Sequence, residues 1–240
     1  MMRRLIQRIE GRLDPRKLAR QTLWYLVHRS GIRDREVAKQ YILKSEVRKL
    51  HLGCGRNLLA DWLNMDYFPR CRGALYLDAR RPFFFLDETF DYIFSEHMIE
   101  HMSYYHGLNM LKECHRILKK GGIVRISTPD LAFLVNLYGD SKSSLQREYI
   151  KWSNNTFFKQ IPEDNEVFVI NNFMRDWGHT FIYDEHTLKT AMMSAGFTDI
   201  TKYALQQSKN DALCNLENMK RIPARFLEIE TITLEGTKVS

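Results

Sequence analysis

Short apolar runs that stop at small or acidic residues set the rhythm of this chain. "VRKLHL" runs into Gly53-Cys54-Gly55, "WLNM" into Asp66, and "ALYL" into Asp78; "FDYIFS" (90–95) follows the polar turn "LDET". Runs of this length predict strands buried in the body of the protein. Leu108, Leu111, His115 and Leu118 recur at helical spacing, predicting an amphipathic helix from about Ser103 to Leu118. "KKGG" would close it, with cations near the negative helix end and a left-handed glycine cap. "IVRIS" (123–127) predicts a fifth strand, "DEHTLKTAMMSAGF" (184–197) a helix ended by Ala195-Gly196, and "TDITKYAL" and "RFLEIETITLEG" two late strands. Strands alternating with helices across long connections predict an α/β fold with a doubly wound, mostly parallel sheet of seven strands.

Two segments fall outside this rhythm. Leu5, Ile6, Ile9 and Leu13 alternate with arginines, and after Asp14-Pro15 a second helix is expected to carry Leu18, Leu23, Trp24 and Val27. Residues 1–46 thus read as a basic helical N-terminal extension to a main domain at 47–240. Within that domain, 140–180 is polar, aromatic-rich and weakly periodic, the pattern of a lid or insertion that recognises a substrate.

Charge sharpens the division. Residues 1–49 hold 14 Lys/Arg against 5 Asp/Glu, while the remainder holds 22 against 24. Such a head suits an anionic partner (membrane surface, nucleic acid or phosphorylated substrate) or is simply a solvated helix face. With 44% hydrophobic and 27% charged residues, the composition is that of a globular protein. No apolar run approaches a membrane span, and the opening lacks the pattern of a secretory signal. Cys54, Cys71, Cys114 and Cys214 lack C-x-x-C spacing and read as reduced thiols. The expected location is cytoplasmic, with peripheral contact at the inner membrane face as a further option.

Glycines directly after a strand allow close backbone approach to a ligand. The third glycine of a dinucleotide fingerprint is missing after "HLGCG", which favours a nucleoside without pyrophosphate. Asp66, at the second strand end, is placed to accept hydrogen bonds from ribose hydroxyls. Asp78, or the amide beside it, is placed to read a base edge.

"LHLGCG", "WLNMDYFP", "LDARRPFFFLDETFDYIFSEHMIEHM", "LKECHRILKKGGIVRISTPDL" and "WGHTFIYDEHTLKTAMMSAGF" resemble, in that order, the class I S-adenosylmethionine-dependent methyltransferases, and more closely the type 11 subgroup associated with cell-surface glycans. The likeness covers about Val47 to Phe197. It implies a Rossmann-like methyltransferase fold and S-adenosylmethionine as cofactor, with Gly53 and Gly55 under its methionyl part. By the same resemblance Asp66 holds the ribose, Asp78 and Ala79 lie near the adenine, and Ser95 to His97 sit beside the sulfonium. His51 stands where many relatives carry an acid that reaches the cofactor amine through water. The short interval from Gly55 to Asp66 leaves room for only a turn or two of helix.

"HMIEH" (97–101) matches H-x-x-E-H, the zinc helix of inverted zincins. Its position just beyond a central strand argues instead for a site without metal, where His97 deprotonates an acceptor hydroxyl near neutral pH and Glu100 and His101 orient it. His179 and Tyr183 are further candidates for binding or deprotonating the acceptor. The expected reaction is methyl transfer to a hydroxyl of a sugar or other small molecule, in surface polysaccharide or lipopolysaccharide assembly. Nucleic-acid methylation is the alternative prompted by charge. Against it, the fourth strand does not end in a Pro-Pro-aromatic tetrapeptide and no Pro-Cys nucleophile appears. A non-catalytic binding protein is the third reading.

Overall fold

The computed structural model describes residues 32–239. The helices expected between residues 5 and 27 lie outside the described residues. The chain divides into two compact units, Met1–Lys44 and Ser45–Ser240. The described part of the first is helix α1 (Ile32–Lys44), with Asp34 in its first turn and Lys44 in its last, each matching the helix dipole. Its weak periodicity hid it from the sequence reading.

The second unit is built on one seven-stranded sheet: β1 (Lys49–Leu52), β2 (Leu63–Asp66), β3 (Leu75–Tyr76), β4 (Phe90–Glu96), β5 (Leu118–Pro129), β6 (Thr198–Lys202) and β7 (Thr231–Thr237). Their order is β3-β2-β1-β4-β5-β7-β6. All pairs from β3 to β5 are parallel, and β7 runs antiparallel between β5 and β6. Leu50, Leu52, Met65, Ile93, Phe94 and Ile126 on the central strands are buried, as unbroken apolar runs require. Chain order reverses at β1, and that switch point opens a crevice at the strand C-termini.

Helices α2 (Tyr104–Ile117) and α6 (Glu185–Ser194) pack together, α2 also against β5 and α6 against β6 and β7. Helices α3 (Leu131–Tyr138), α4 (Ser144–Phe157), α5 (Glu166–Arg175) and α7 (Ala224–Glu230) share a second apolar cluster that includes Phe133, Tyr149, Phe173 and Phe226. The weakly periodic stretch after residue 140 is therefore two ordinary helices. Ser143 and Gln146 form a reciprocal cap at the start of α4, and Asn165 caps α5.

Three local expectations are corrected. Helix α2 ends on extended Leu118, and "KKGG" belongs to β5. There the pairing jumps from Phe90–Leu118 to Tyr92–Ile123, and Gly121 takes φ +78° in the resulting bulge. "RFLEIE" is helix α7, not strand: Pro223 precedes it, and Phe226, Leu227 and Glu230 bury one helical stripe. Between β1 and β2 there are turns and no helix; Trp62, Leu213 and Leu216 cover Phe94 there.

Among the described residues no helix is long and apolar enough to cross a membrane.

Candidate active site

A cavity of about 790 Å³ lies at the strand ends, lined by residues following β1, β2, β3 and β4 in turn. That volume lies within the range of small-molecule sites. His51, Gly53, Gly55, Asp66, Asp78, Ala79 and His97 all line it. Ser95 does not. Strand alternation turns its side chain away from the face of Glu96, leaving a buried Oγ with no hydrogen-bond partner.

The glycine turn is held from below. Gly53 and Cys54 donate their amides to the Met65 carbonyl at 2.8 and 3.1 Å. Gly53 has φ +72°, and a Cβ there would collide with Met98. Gly55 has φ +53°, and a Cβ would meet open space. One glycine is demanded by packing and backbone, the other by backbone alone.

Asp66 fastens this turn to β2. Its Oδ2 accepts the Gly55 N–H at 2.8 Å and its Oδ1 the Phe68 N–H at 2.7 Å. Each oxygen keeps a lone pair for a ligand hydroxyl. Asp78 is more fully engaged. Arg80 donates Nε and Nη2 to it at 2.7 and 2.9 Å and lies 4.6 Å from the centre of the Tyr67 ring. Burial raises the Asp78 carboxyl, but these bonds outweigh it and hold the pKa below the usual carboxylate value.

His51 is buried, with Nδ1 3.0 Å from Asn64 Oδ1. Asn64 spends both amide hydrogens on the Leu59 and Trp62 carbonyls, so its oxygen must accept and His51 must carry the Nδ1 proton. Burial lowers the imidazole to about 4. The result is a neutral ring with an Nε2 lone pair, an acceptor suited to a hydrated ammonium.

His97 begins the turn after β4 in the left-handed region, φ +45°, its N–H on the Ser127 carbonyl. Its Nδ1 lies 3.4 Å from Glu100 Oε1 and its Nε2 3.3 Å from Thr231 Oγ1. Burial depresses the His97 pKa against the pull of Glu100. Burial pushes the Glu100 carboxyl up, but His97 and His101 outweigh it and keep it ionised. Glu100 Oε2 accepts from Thr128 Oγ1, while Oε1 is buried without a hydrogen bond in good geometry.

The H-x-x-E-H residues do not form a zincin helix: Ile99–His101 is a single 3-10 turn. Glu100, His101 and His179 do bring three donor atoms within 4.8 Å of one another, a group able to hold a cation. His97 is not part of that group.

The segment after α5 is tied to this turn, since Thr180 and Phe181 donate their amides to the Glu100 carbonyl. His179 Nδ1 binds the Phe173 carbonyl at 2.8 Å, and burial lowers its pKa. Tyr183 is fully buried against Gly107 and lines neither cavity described here, which removes it from the acceptor candidates.

A second cavity of about 220 Å³ adjoins the first, sharing His97, Trp177 and Arg221 as lining. His179, Tyr149, Trp152, Phe157, Phe173 and Glu230 complete its walls with Pro129 and Ile222. Sequence reading missed Arg221, Glu230, Tyr149 and Trp152. Trp177 stood beside His179 inside a quoted motif, "WGHTFIYD", and Glu230 inside "RFLEIETITLEG", where it was read only as part of a strand.

A family described as a methyltransferase domain matches residues 2–202. No curated protein matches the chain. Among solved structures, a S-adenosylmethionine dependent methyltransferase from Mesorhizobium loti is similar at TM-score 0.50 and 14% identity, over 80% of this chain and 91% of that one. A SAM-dependent methyltransferase from Thermotoga maritima, described as a possible histamine N-methyltransferase, gives TM-score 0.48 and 20% identity over 93% and 97%. Phosphoethanolamine N-methyltransferase 2 of Haemonchus contortus, in complex with S-adenosyl-L-methionine, gives TM-score 0.44 and 14% identity over 82% of this chain and 50% of that chain. With a sheet of this topology, a strand-end cavity over a glycine turn and a family match across most of its length, the chain belongs to the methyltransferase domain family.

Proposed function

We propose that this protein is an S-adenosylmethionine-dependent O-methyltransferase acting on a sugar or other small molecule with a free hydroxyl. The cofactor supplies a methyl group already activated on a sulfonium, so the protein need only align, desolvate and deprotonate. The observation that carries the reading is the position of His97, which lines both cavities. The larger cavity has the fittings of a nucleoside site: a glycine cradle, the Asp66 carboxylate and the neutral His51. The smaller is the acceptor side.

In this reading His97 accepts the hydroxyl proton. Its depressed pKa keeps it unprotonated at neutral pH, and ionised Glu100 stabilises the imidazolium that forms. His179, with Nδ1 committed to a carbonyl, offers its other nitrogen to the acceptor. Residues 140–180 supply most of the aromatic wall of the smaller cavity, the role expected of a lid.

The type 11 resemblance directs the acceptor toward glycan assembly, and the basic N-terminal segment toward an anionic membrane surface. Neither motif of amino- or C5-methylation is present, which weighs against nucleic acid. The test is a screen of acceptors with methyl-labelled cofactor, led by nucleotide sugars and surface glycans. Label transferred to a sugar oxygen supports the reading. Label on RNA, or on nitrogen alone, rejects it.

A further inference from the structure

The smaller cavity is built for a particular kind of ring. Tyr149, Trp152, Phe157, Trp177 and Phe173 follow one another around it, with successive ring centres 5.0–5.7 Å apart. Neighbouring rings meet at 56–84°, so the wall offers apolar ring surface at varied angles and very few hydrogen bonds. It suits a ligand with one apolar face and a polar edge.

Besides His97 and His179, the polar groups lie at two places. At the inner end, Tyr149 donates its hydroxyl to Glu230, and burial raises that carboxyl to about 7. At the seam with the larger cavity stands Arg221. Its charge acts on Glu96, His97, His179 and Glu230, yet its guanidinium makes no hydrogen bond or ion pair with any described residue. Arg56, Arg70 and Arg80 also line the larger cavity, Arg80 being paired with Asp78, but of these arginines only Arg221 lines the smaller one as well. Arg221 is exposed, so solvent meets its five N–H donors, and because it lines both cavities a ligand's anion can take the place of that water.

We propose that the smaller cavity takes a hydroxylated sugar ring carrying a carboxylate or phosphate, stacked on the aromatic wall with its anion on Arg221. The ring's C–H face lies on the indole and phenyl faces. Its hydroxyls meet Glu230 and His97, and the anion sits beside the reacting centre. This rests on the methyltransferase reading above, and it names the acceptor as an acidic sugar such as a uronic acid or sugar phosphate.

The anion on Arg221 has a second possible source, the carboxylate of the cofactor itself, and the experiment separates them. The folded full chain, saturated with S-adenosylhomocysteine, is titrated with D-glucuronate, glucose 6-phosphate and glucose. Intrinsic tryptophan fluorescence is the readout, since Trp152 and Trp177 line the cavity. One or both acidic probes should bind at least about tenfold more tightly than glucose. Arg221→Gln should remove that preference and leave glucose unchanged, Arg221→Lys should keep part of it, and the affinity for S-adenosylhomocysteine should stay within about twofold. Equal binding of glucose and both acids, no binding of any probe, or a loss of S-adenosylhomocysteine affinity in Arg221→Gln matching the loss for the acids would overturn the proposal. A wild-type chain that binds the acids but no S-adenosylhomocysteine would instead remove the methyltransferase reading and leave the anion site standing.

Discussion

Asp66 and Gly55, eleven residues apart, are joined by a 2.8 Å hydrogen bond from the Gly55 amide to Oδ2. The end of β2 thereby sets the shape of the turn after β1, and the same carboxylate faces the larger cavity. Asp66→Asn can still accept one amide, but it loses the charge and presents N–H to the other donor. S-adenosylhomocysteine binding should weaken by about 1–3 kcal/mol, roughly five- to 150-fold in Kd. Titration calorimetry measures this directly; an unchanged Kd would detach Asp66 from the ligand.

His97→Asn should leave S-adenosylhomocysteine binding near wild type while lowering kcat by about 10²-fold or more. Because burial depresses the His97 pKa, the acid limb of the wild-type rate profile should fall below the ordinary histidine value. Glu100→Gln removes the carboxylate that supports protonated His97 and should move that limb lower still, with kcat reduced. A rate profile unaltered by Glu100→Gln would argue against the pair acting as base and orienting group.

His51 links stability to pH. Its folded pKa, about 4, lies below the ordinary histidine value of 6.5, so the unfolded chain binds more protons between those values. Stability is full above pH 6.5 and falls as the pH drops toward 4. About 2 kcal/mol should be gone by pH 5. In His51→Gln this component should vanish, flattening the profile of urea midpoints between pH 7 and 5. Parallel profiles for the two proteins would contradict the assignment.

Arg125 is the main polar anchor beneath the site. It is fully buried, with Nε 2.7 Å from Glu217 and Nη1 2.6 Å from Glu235, and it also holds the Gln207 carbonyl. Glu217 precedes Asn218, whose amide donates to Glu96 in the larger cavity. Arg125→Met strands two carboxylates and should cost about 3–5 kcal/mol in chemical denaturation. Replacing Glu217 and Glu235 by Gln in the same chain should restore part of it. A loss under about 1 kcal/mol would mean the network is more hydrated than its burial implies.

The legible parts of this molecule were those encoded by neighbouring residues. Gly53, Gly55 and Asp66 announced themselves because a strand, a turn and an acidic strand end follow within a few positions. "KKGG" misled because a helix cap and a strand bulge both call for left-handed glycine, and only the pairing of Phe90 with Leu118 decides between them. "RFLEIE" carries the apolar and branched residues of a strand, yet its buried positions 226, 227 and 230 follow a helix. Ser95 lay in the right motif, one residue out of phase with the cavity face. Arg221 and Glu230 had no local signal at all. They meet His97 and Trp177 only once β7 and α5 are in place, so their chemistry belongs to the tertiary structure.

The most direct measurement is calorimetric titration of the folded full-length chain with S-adenosylhomocysteine. Saturable binding at one site, with a Kd in about the micromolar range and weakened by Asp66→Asn, is the predicted result. No heat and no thermal stabilisation at millimolar ligand, from protein that unfolds cooperatively, would contradict the nucleoside site on which the methyltransferase reading depends.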